Sequence, residues 1–336
     1  MISDQSVEPP LIFIHYGPAD YLRRTLLCAR DSNPAKRVVL LGDESNRRFV
    51  GSRVDFVPLA ELAGSEKEKE FEKLFRPIQG ERHRFNKANG VDFWLKFVFR
   101  RWFLIEAFLE REGLDSFWTF DSDTLVLCDL ALQAQRFHAF EAMTQCNDQC
   151  LNGWVGSRKL VSRYTQSILD QFGDEEYLAS QVERLKLNAG LAFNEMDAFA
   201  EFRRRECVRT IHGQVPVDEE IFDNALAFTE GFEIASQKVL GKTAIKRLWT
   251  DGCNIYARHL PTGNFVRLLT CNMSWMPDFM WRRIRAAAKV GSCGSRVASG
   301  GSQTSKLKEI STKEPILDMV VRKAKLLIWN AMVVIK

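Results

Sequence analysis

Two carboxylates two residues apart, Asp121 and Asp123, follow directly on Ser116-Phe117-Trp118-Thr119-Phe120. Four of those five residues are apolar, aromatic or β-branched, which predicts a short buried strand. Acids at i and i+2 leave such a strand on the same side. Open α/β sheets bind their ligands just there, beyond the carboxyl ends of the strands. Paired acids at a burial-prone position need a counter-charge, and a divalent cation carrying a diphosphate supplies one. Carboxylate oxygens suit a hard ion, Mn2+ or Mg2+. Asp121-Ser122-Asp123 could equally make a polar turn between two strands. The apolar lead-in and the run Thr124-Leu125-Val126-Leu127 behind it favour the metal site.

The elements that must position these acids are legible as alternating strands and helices. Leu11 to Tyr16 reads as a first strand ended by Gly17-Pro18, and Asp20 to Arg30 carries apolar residues at helical spacing. Arg37 to Leu41 and Val54 to Leu59 read as further strands. Helices are predicted over Glu61–Phe75, Phe93–Arg111, Arg158–Phe172, Tyr177–Leu185 and Asp218–Phe228, and Ile255–Arg258 reads as a last strand. Strand, helix, strand at these spacings predicts an α/β fold with a mostly parallel sheet flanked by helices. Within the aromatic helix from Phe93, Lys96 and Arg100 are four apart and share a face, with Arg101 on a neighbouring one. A cation on that helix could meet a diphosphate or the paired acids if its face reaches the carboxyl edge of the sheet.

Composition narrows the classes. Of 336 residues 46% are hydrophobic, with 24 Phe and 8 Trp, enough for a large core and incompatible with a disordered chain. The net charge of +4 is unevenly spread: from Trp281 onward there are 12 Lys and Arg against 3 Asp and Glu, so the preceding body is mildly acidic. An acidic body speaks against a nucleic-acid-binding protein. The 8 Cys show no zinc-ligand spacing. With no evident signal peptide and no apolar run of ~20 residues, reduced thiols and a cytoplasmic protein, peripheral at the inner membrane surface, are expected. The expected division is a catalytic domain over residues 1–280, a basic Gly/Ser-rich linker over 281–314, and an amphipathic helix over 315–336. That helix, with Trp329 and a basic stripe, is suited to an anionic bilayer, or to docking on the protein's own body or a second subunit.

Asp-x-Asp after an apolar strand resembles the signature of nucleotide-sugar glycosyltransferases with the GT-A fold. The order of His15-Tyr16, the cationic helix, Phe120-Asp121-Ser122-Asp123-Thr124, the later Asn-Gly and Asn-Ala-Gly segments and a His before a Gly is similar to bacterial retaining-type enzymes over residues 10 to 270. The resemblance implies a Rossmann-related GT-A domain that uses Mn2+ or Mg2+ and transfers sugar from a nucleoside-diphosphate sugar to a glycan or lipid-linked acceptor. It implies Asp121 and Asp123 as catalytic metal ligands, with His259 as a third. His259-Leu260-Pro261-Thr262-Gly263 has one residue more before its Gly than the family's His-x-x-Gly. His15, Tyr16 and Gly17 would receive the nucleotide. Ser122, Lys96, Arg100 and Arg101 would lie near the diphosphate. Asn152, Asn188 and Asp223 would offer polar groups to the sugar, and Asp197 would line the donor–acceptor pocket. Asp218 and Glu219 are explained equally well as acids favoured by a helix dipole.

Two rivals make distinct demands. A sugar-phosphate nucleotidyltransferase needs a Gly-rich basic loop after the first strand, where Gly17-Pro18-Ala19-Asp20 stands instead. A membrane-surface adaptor on a degenerate α/β scaffold has no need of the acid pair, which is intact.

Overall fold

The computed structural model describes residues 8–83, 91–288, 307–315 and 318–319. Residues 1–7, 84–90, 289–306, 316–317 and 320–336 lie outside that description, and with them most of the expected linker and C-terminal helix. The chain divides into two compact units: residues up to Leu26 with Ala35–Ser122 and Asp129–Gly213, and Leu27–Pro34 with Asp123–Cys128 and Gln214 onward.

The first unit is a mixed α/β structure, Rossmann-like in its mostly parallel central sheet flanked by helices. Its strands are β1 (Leu11–His15), β2 (Val38–Gly42), β3 (Asp55–Pro58) and β4 (Phe117–Thr119), followed after β5 (Thr124–Val126) by β6 (Ala142–Gln145), β7 (Cys150–Val155) and β8 (Thr210–His212). Their order is β3-β2-β1-β4-β7-β6-β8. The first four are mutually parallel, β7 is antiparallel to both its neighbours, and β8 is parallel to β6. The buried run of β1 is the pattern of a strand covered on both faces. Its register, Leu11 to Val38 and Leu11 to Trp118, brings the carboxyl ends of β1, β2 and β4 to one edge.

Helix α1 (Leu22–Ser32) is divided between the units after Leu26. Helices α2 (Glu66–Leu74), α3 (Val91–Glu112), α4 (Arg158–Gly173), α5 (Glu175–Leu187) and α6 (Glu195–Glu206) belong to the first unit. Ser65, Ser157, Asp174 and Asn194 cap four of them by accepting N–H groups of the first turn. The core is aromatic: Phe99, Trp102, Phe103 and Phe108 of α3 meet Phe71, Tyr164 and Phe172 beside Ile12, Ile14, Val39 and Leu41. Phe71 stacks on Phe103 at 5.0 Å.

The second unit holds a six-stranded sheet. It contains β5 with β9 (Glu220–Phe222), β10 (Leu248–Thr250), β11 (Ile255–Arg258), β12 (Phe265–Asn272) and β13 (Lys308–Glu309). The order is β13-β10-β11-β12-β5, antiparallel throughout, with β9 parallel to β12. Helix α7 (Asp278–Ala288) buries Phe279, Met280, Trp281 and Ile284.

Four expectations change. The helix predicted over Asp218–Phe228 is a turn followed by β9: Asp218 and Glu219 adopt φ of 51° and 59°, and Val217 bridges to Glu220. Their acids therefore cap no helix dipole. The strands β6 and β7 and the helix α6 had not been predicted. A domain boundary at residue 280 would cut α7, and β13 pairs with β10 inside the expected linker. Finally, Cys253 is disulfide-bonded rather than reduced, whereas Cys28, Cys128, Cys146, Cys150, Cys207 and Cys271 carry free thiols.

Candidate functional site

The carboxyl edge of the parallel strands gathers the chemistry-bearing residues of the first unit. Beyond β4, Asp121 is held by Arg101 of α3, whose Nη1 donates to its Oδ1 at 2.8 Å. The same guanidinium donates from Nη2 to Oε1 of Glu195, the first residue of α6, at 3.0 Å. Asp121 remains 40% exposed at its side chain, against 13% for Arg101 and 12% for Glu195. One cation thus serves two carboxylates, the outer open to solvent and the inner buried. Burial pushes the Glu195 carboxyl up to about 7, the charge of Asp121 adding to the rise and Arg101 opposing it. Burial works against the charge on Arg101, but Glu195 and Asp121 more than offset it and hold the guanidinium protonated.

Helix α6 reaches this point because Asn194 and Asp197 close a capping box at its start. Tyr164 of α4 fixes the same turn by donating to the Glu195 carbonyl at 2.7 Å. A cleft with room for about one water molecule is lined by Arg101, Trp102, Thr119, Asp121 and Asn152. The Nε–H of Arg101 is buried there without a protein acceptor.

Beyond β1, His15 Nδ1 lies 2.8 Å from Ser122 Oγ, which ties the end of β1 to the acid segment. Burial lowers the pKa of this imidazole. Thr25 donates to the Ser122 carbonyl at 2.8 Å. Gly17 adopts φ +81°, a conformation a side chain would strain. Its N–H donates to Asp43, and its carbonyl accepts from Asn46 Nδ2 at 2.7 Å, so the loops after β1 and β2 are pinned together. Tyr16 is 47% exposed and packs on Phe93 at 4.5 Å and Phe97 at 5.8 Å. The result is an open aromatic surface beside the acid-bearing edge.

In the second unit, Asp123 directly precedes β5. Its Oδ1 accepts from Asn272 Nδ2 at 2.8 Å and its Oδ2 from Ser274 Oγ at 2.6 Å, while its carbonyl accepts from Met273 N.

No family model matches this chain, and no curated protein matches it.

Among the cations expected near a diphosphate, only Arg101 reaches the acid segment. Lys96 pairs with Glu72, and Arg100 with Glu68 at 2.6 Å, so both turn to the acidic face of α2. Asp197, expected to line the donor–acceptor pocket, is engaged in the capping box and by Arg184 at 2.9 Å, and the acid beside Arg101 is Glu195. Asn152 lies within β7, not after a loop, and its amide donates to Gln145 at 2.6 Å across the hairpin. It nevertheless borders the Asp121 cleft. Asn188 caps the end of α5 by donating to the Arg184 carbonyl.

Asp223 is fully buried against Lys246, which also donates to the Ala225 carbonyl at 2.9 Å, so it has no open face for a substrate. His259 Nδ1 lies 3.0 Å from Thr262 Oγ1, and the ring packs at 5.3 Å from Phe232. Among the described residues no group of three or more His, Cys, Asp or Glu is arranged to hold a metal ion. A cation of the Mg2+ type does not need such a group. Such an ion is commonly bound by one or two carboxylates, with substrate phosphates and water completing the shell. The oxygen donors of Asp121, open on one side, fit that mode.

Proposed function

We propose that this protein is a metal-dependent glycosyltransferase of the GT-A kind, moving a sugar from a nucleoside-diphosphate donor to a glycan or lipid-linked acceptor. The observation that carries this is the half-exposed carboxylate of Asp121 at the carboxyl end of β4, adjacent to the His15-Tyr16-Gly17 end of β1 and backed by the Arg101–Glu195 pair. A parallel sheet receives a nucleotide at this edge. No Gly-rich phosphate loop follows β1, which disfavours a nucleotidyltransferase.

Asp121 would hold Mn2+ or Mg2+, with Asp123, next but one in the chain, as its second carboxylate on the strength of the sequence pattern. The cation, when bound, supplies Lewis-acid neutralisation of the departing diphosphate. The protein's own residues do the positioning. Arg101 fixes the Asp121 carboxylate and adds positive charge behind it. Glu195 holds Arg101 in place from the buried side and is a positioning residue. Tyr16, with Phe93 and Phe97, offers π surface on which a base can stack. Gly17 lets the backbone approach closely, and Ser122, locked to His15, orients the acid segment.

The test is hydrolysis of nucleotide sugars, read across a panel with Mn2+ or Mg2+ present. Asp121→Ala and Asp123→Ala should each abolish metal-dependent hydrolysis while far-UV circular dichroism stays that of the wild type. Retained hydrolysis in both variants would sink the metal assignment.

A further inference from the structure

The hairpin between β6 and β7 carries two free thiols at its turn, Cys146 and Cys150. Gln145 pairs with Cys150 across it, so Cys146 and Cys150 flank the turn residues Asn147, Asp148 and Gln149. Cys146, Asn147 and Asp148 all have positive φ, at 51°, 55° and 65°. Left-handed backbone favours glycine and tolerates Asn and Asp, so Cys146 is the residue held against its preference. The turn is braced: Thr144 Oγ1 donates to Asp148 Oδ1 at 2.5 Å, and Gln149 N donates to the Cys146 carbonyl at 3.2 Å. This tight turn, with Gln145 paired to Cys150, brings Cys146 next to Cys150 at the end of the hairpin. Strain held in place at a reactive group is a reason to look for a purpose.

The two sulfurs differ in access. Cys146 is half-buried and open to a small solute, whereas Cys150 is 3% exposed. The Cys146 side chain, burial and the charge of Asp121 hold the Cys150 thiol well above its ordinary range, with Arg101 opposing them, so Cys150 is the protected partner rather than the first to react. A reachable thiol beside a sheltered one is the arrangement of an attacking and a resolving cysteine.

We propose that Cys146 and Cys150 are a site of reversible oxidation, closed to an intramolecular disulfide by a peroxide. The Cys146 sulfur attacks one peroxide oxygen. The O–O bond breaks, and a sulfenic acid and one water result. The Cys150 sulfur then attacks the Cys146 sulfur, forming the S–S bond and breaking the S–O bond, and a second water leaves. The peroxide accepts both electrons, and both thiol protons depart in the waters. The site does not depend on the transferase activity proposed above.

Trypsin isolates the pair, because the segment Phe137–Arg158 contains both cysteines and no other. Reduced full-length protein is treated with hydrogen peroxide, denatured, alkylated, digested and weighed by mass spectrometry. The wild-type peptide should appear unalkylated and two hydrogens lighter, and dithiothreitol should restore two alkylatable thiols. Cys150→Ser should yield a Cys146 sulfenic acid captured by dimedone. In Cys146→Ser, Cys150 should survive the peroxide as a thiol. A wild-type peptide that keeps both thiols overturns the proposal. So does one that stops at Cys146 sulfinic acid with Cys150 reduced, or one that links to a different cysteine.

Discussion

A single guanidinium balances two carboxylates at the edge of the sheet, and its titration is the most exposed consequence at the scale of residues. With Asp121 and Glu195 both ionised, Arg101 would leave one negative charge uncompensated near the interior. Burial of the Glu195 carboxyl, reinforced by the charge of Asp121, therefore keeps its proton on up to about 7. An unfolded Glu titrates near about 4.3. Between these values the unfolded chain has released a proton that the folded one retains, so the contribution of Glu195 to stability is full below about pH 4.3 and is lost as pH rises toward about 7. Glu195→Gln removes this dependence. Urea denaturation across that window should show the wild type losing up to about 3 kcal/mol relative to the variant. Parallel stability curves would refute it. Asp121 was legible in the sequence because a buried strand hands directly over to it. The pairing of Glu195 with Arg101 was not, because the two lie 94 residues apart and Glu195 stood out only as part of the Glu195-Met196-Asp197 segment.

At the scale of elements, charge pattern and backbone conformation compete. Residues 218–228 are rich in acids and apolar residues that mimic a helix start, yet Asp218 and Glu219 turn the chain with positive φ into β9. Glu219→Gly gives opposite signs in the two cases. In the turn it relieves left-handed strain and should stabilise the protein by about 1 kcal/mol. In a helix it would cost about 1 kcal/mol. A thermal melt separates these, and a lowered Tm would contradict the turn. The β6–β7 hairpin was hidden for a related reason. Its turn contains no Gly or Pro, and Asn152 and Gly153 interrupt the apolar run of β7, where the Met143 side chain occupies the space a Cβ at Gly153 would need. The strands β1 to β3 and helices α3 to α5, by contrast, have local periodicity strong enough to be read directly.

At the scale of the whole molecule, the chain is two compact units with the acid segment at the boundary between them in sequence: Asp121 and Ser122 belong to the first, Asp123 to the second. Non-local pairing limits what sequence alone conveys here. β13 returns to β10 across nearly sixty residues, and composition alone marks that stretch only as basic and Gly/Ser-rich. Among the described residues no helix is long and apolar enough to cross a membrane. We propose that the segment after residue 315 is the surface anchor, and its test must spare α7 and β13. Deleting residues 316–336 should release the protein from anionic liposomes and leave its melting temperature unchanged. Equal liposome sedimentation by full-length and shortened protein would remove that role.

The central claim is that Asp121 takes a divalent cation together with a nucleoside diphosphate, and it is tested most directly by ligand-dependent melting. A ligand bound only by the folded state stabilises it by mass action, by about 2.7 kcal/mol at a hundred times its Kd. Mn2+ with UDP or GDP should raise the Tm of the wild type above that with either component alone, and should leave Asp121→Asn unshifted. No shift with either nucleotide, or an equal shift in Asp121→Asn, would contradict the account.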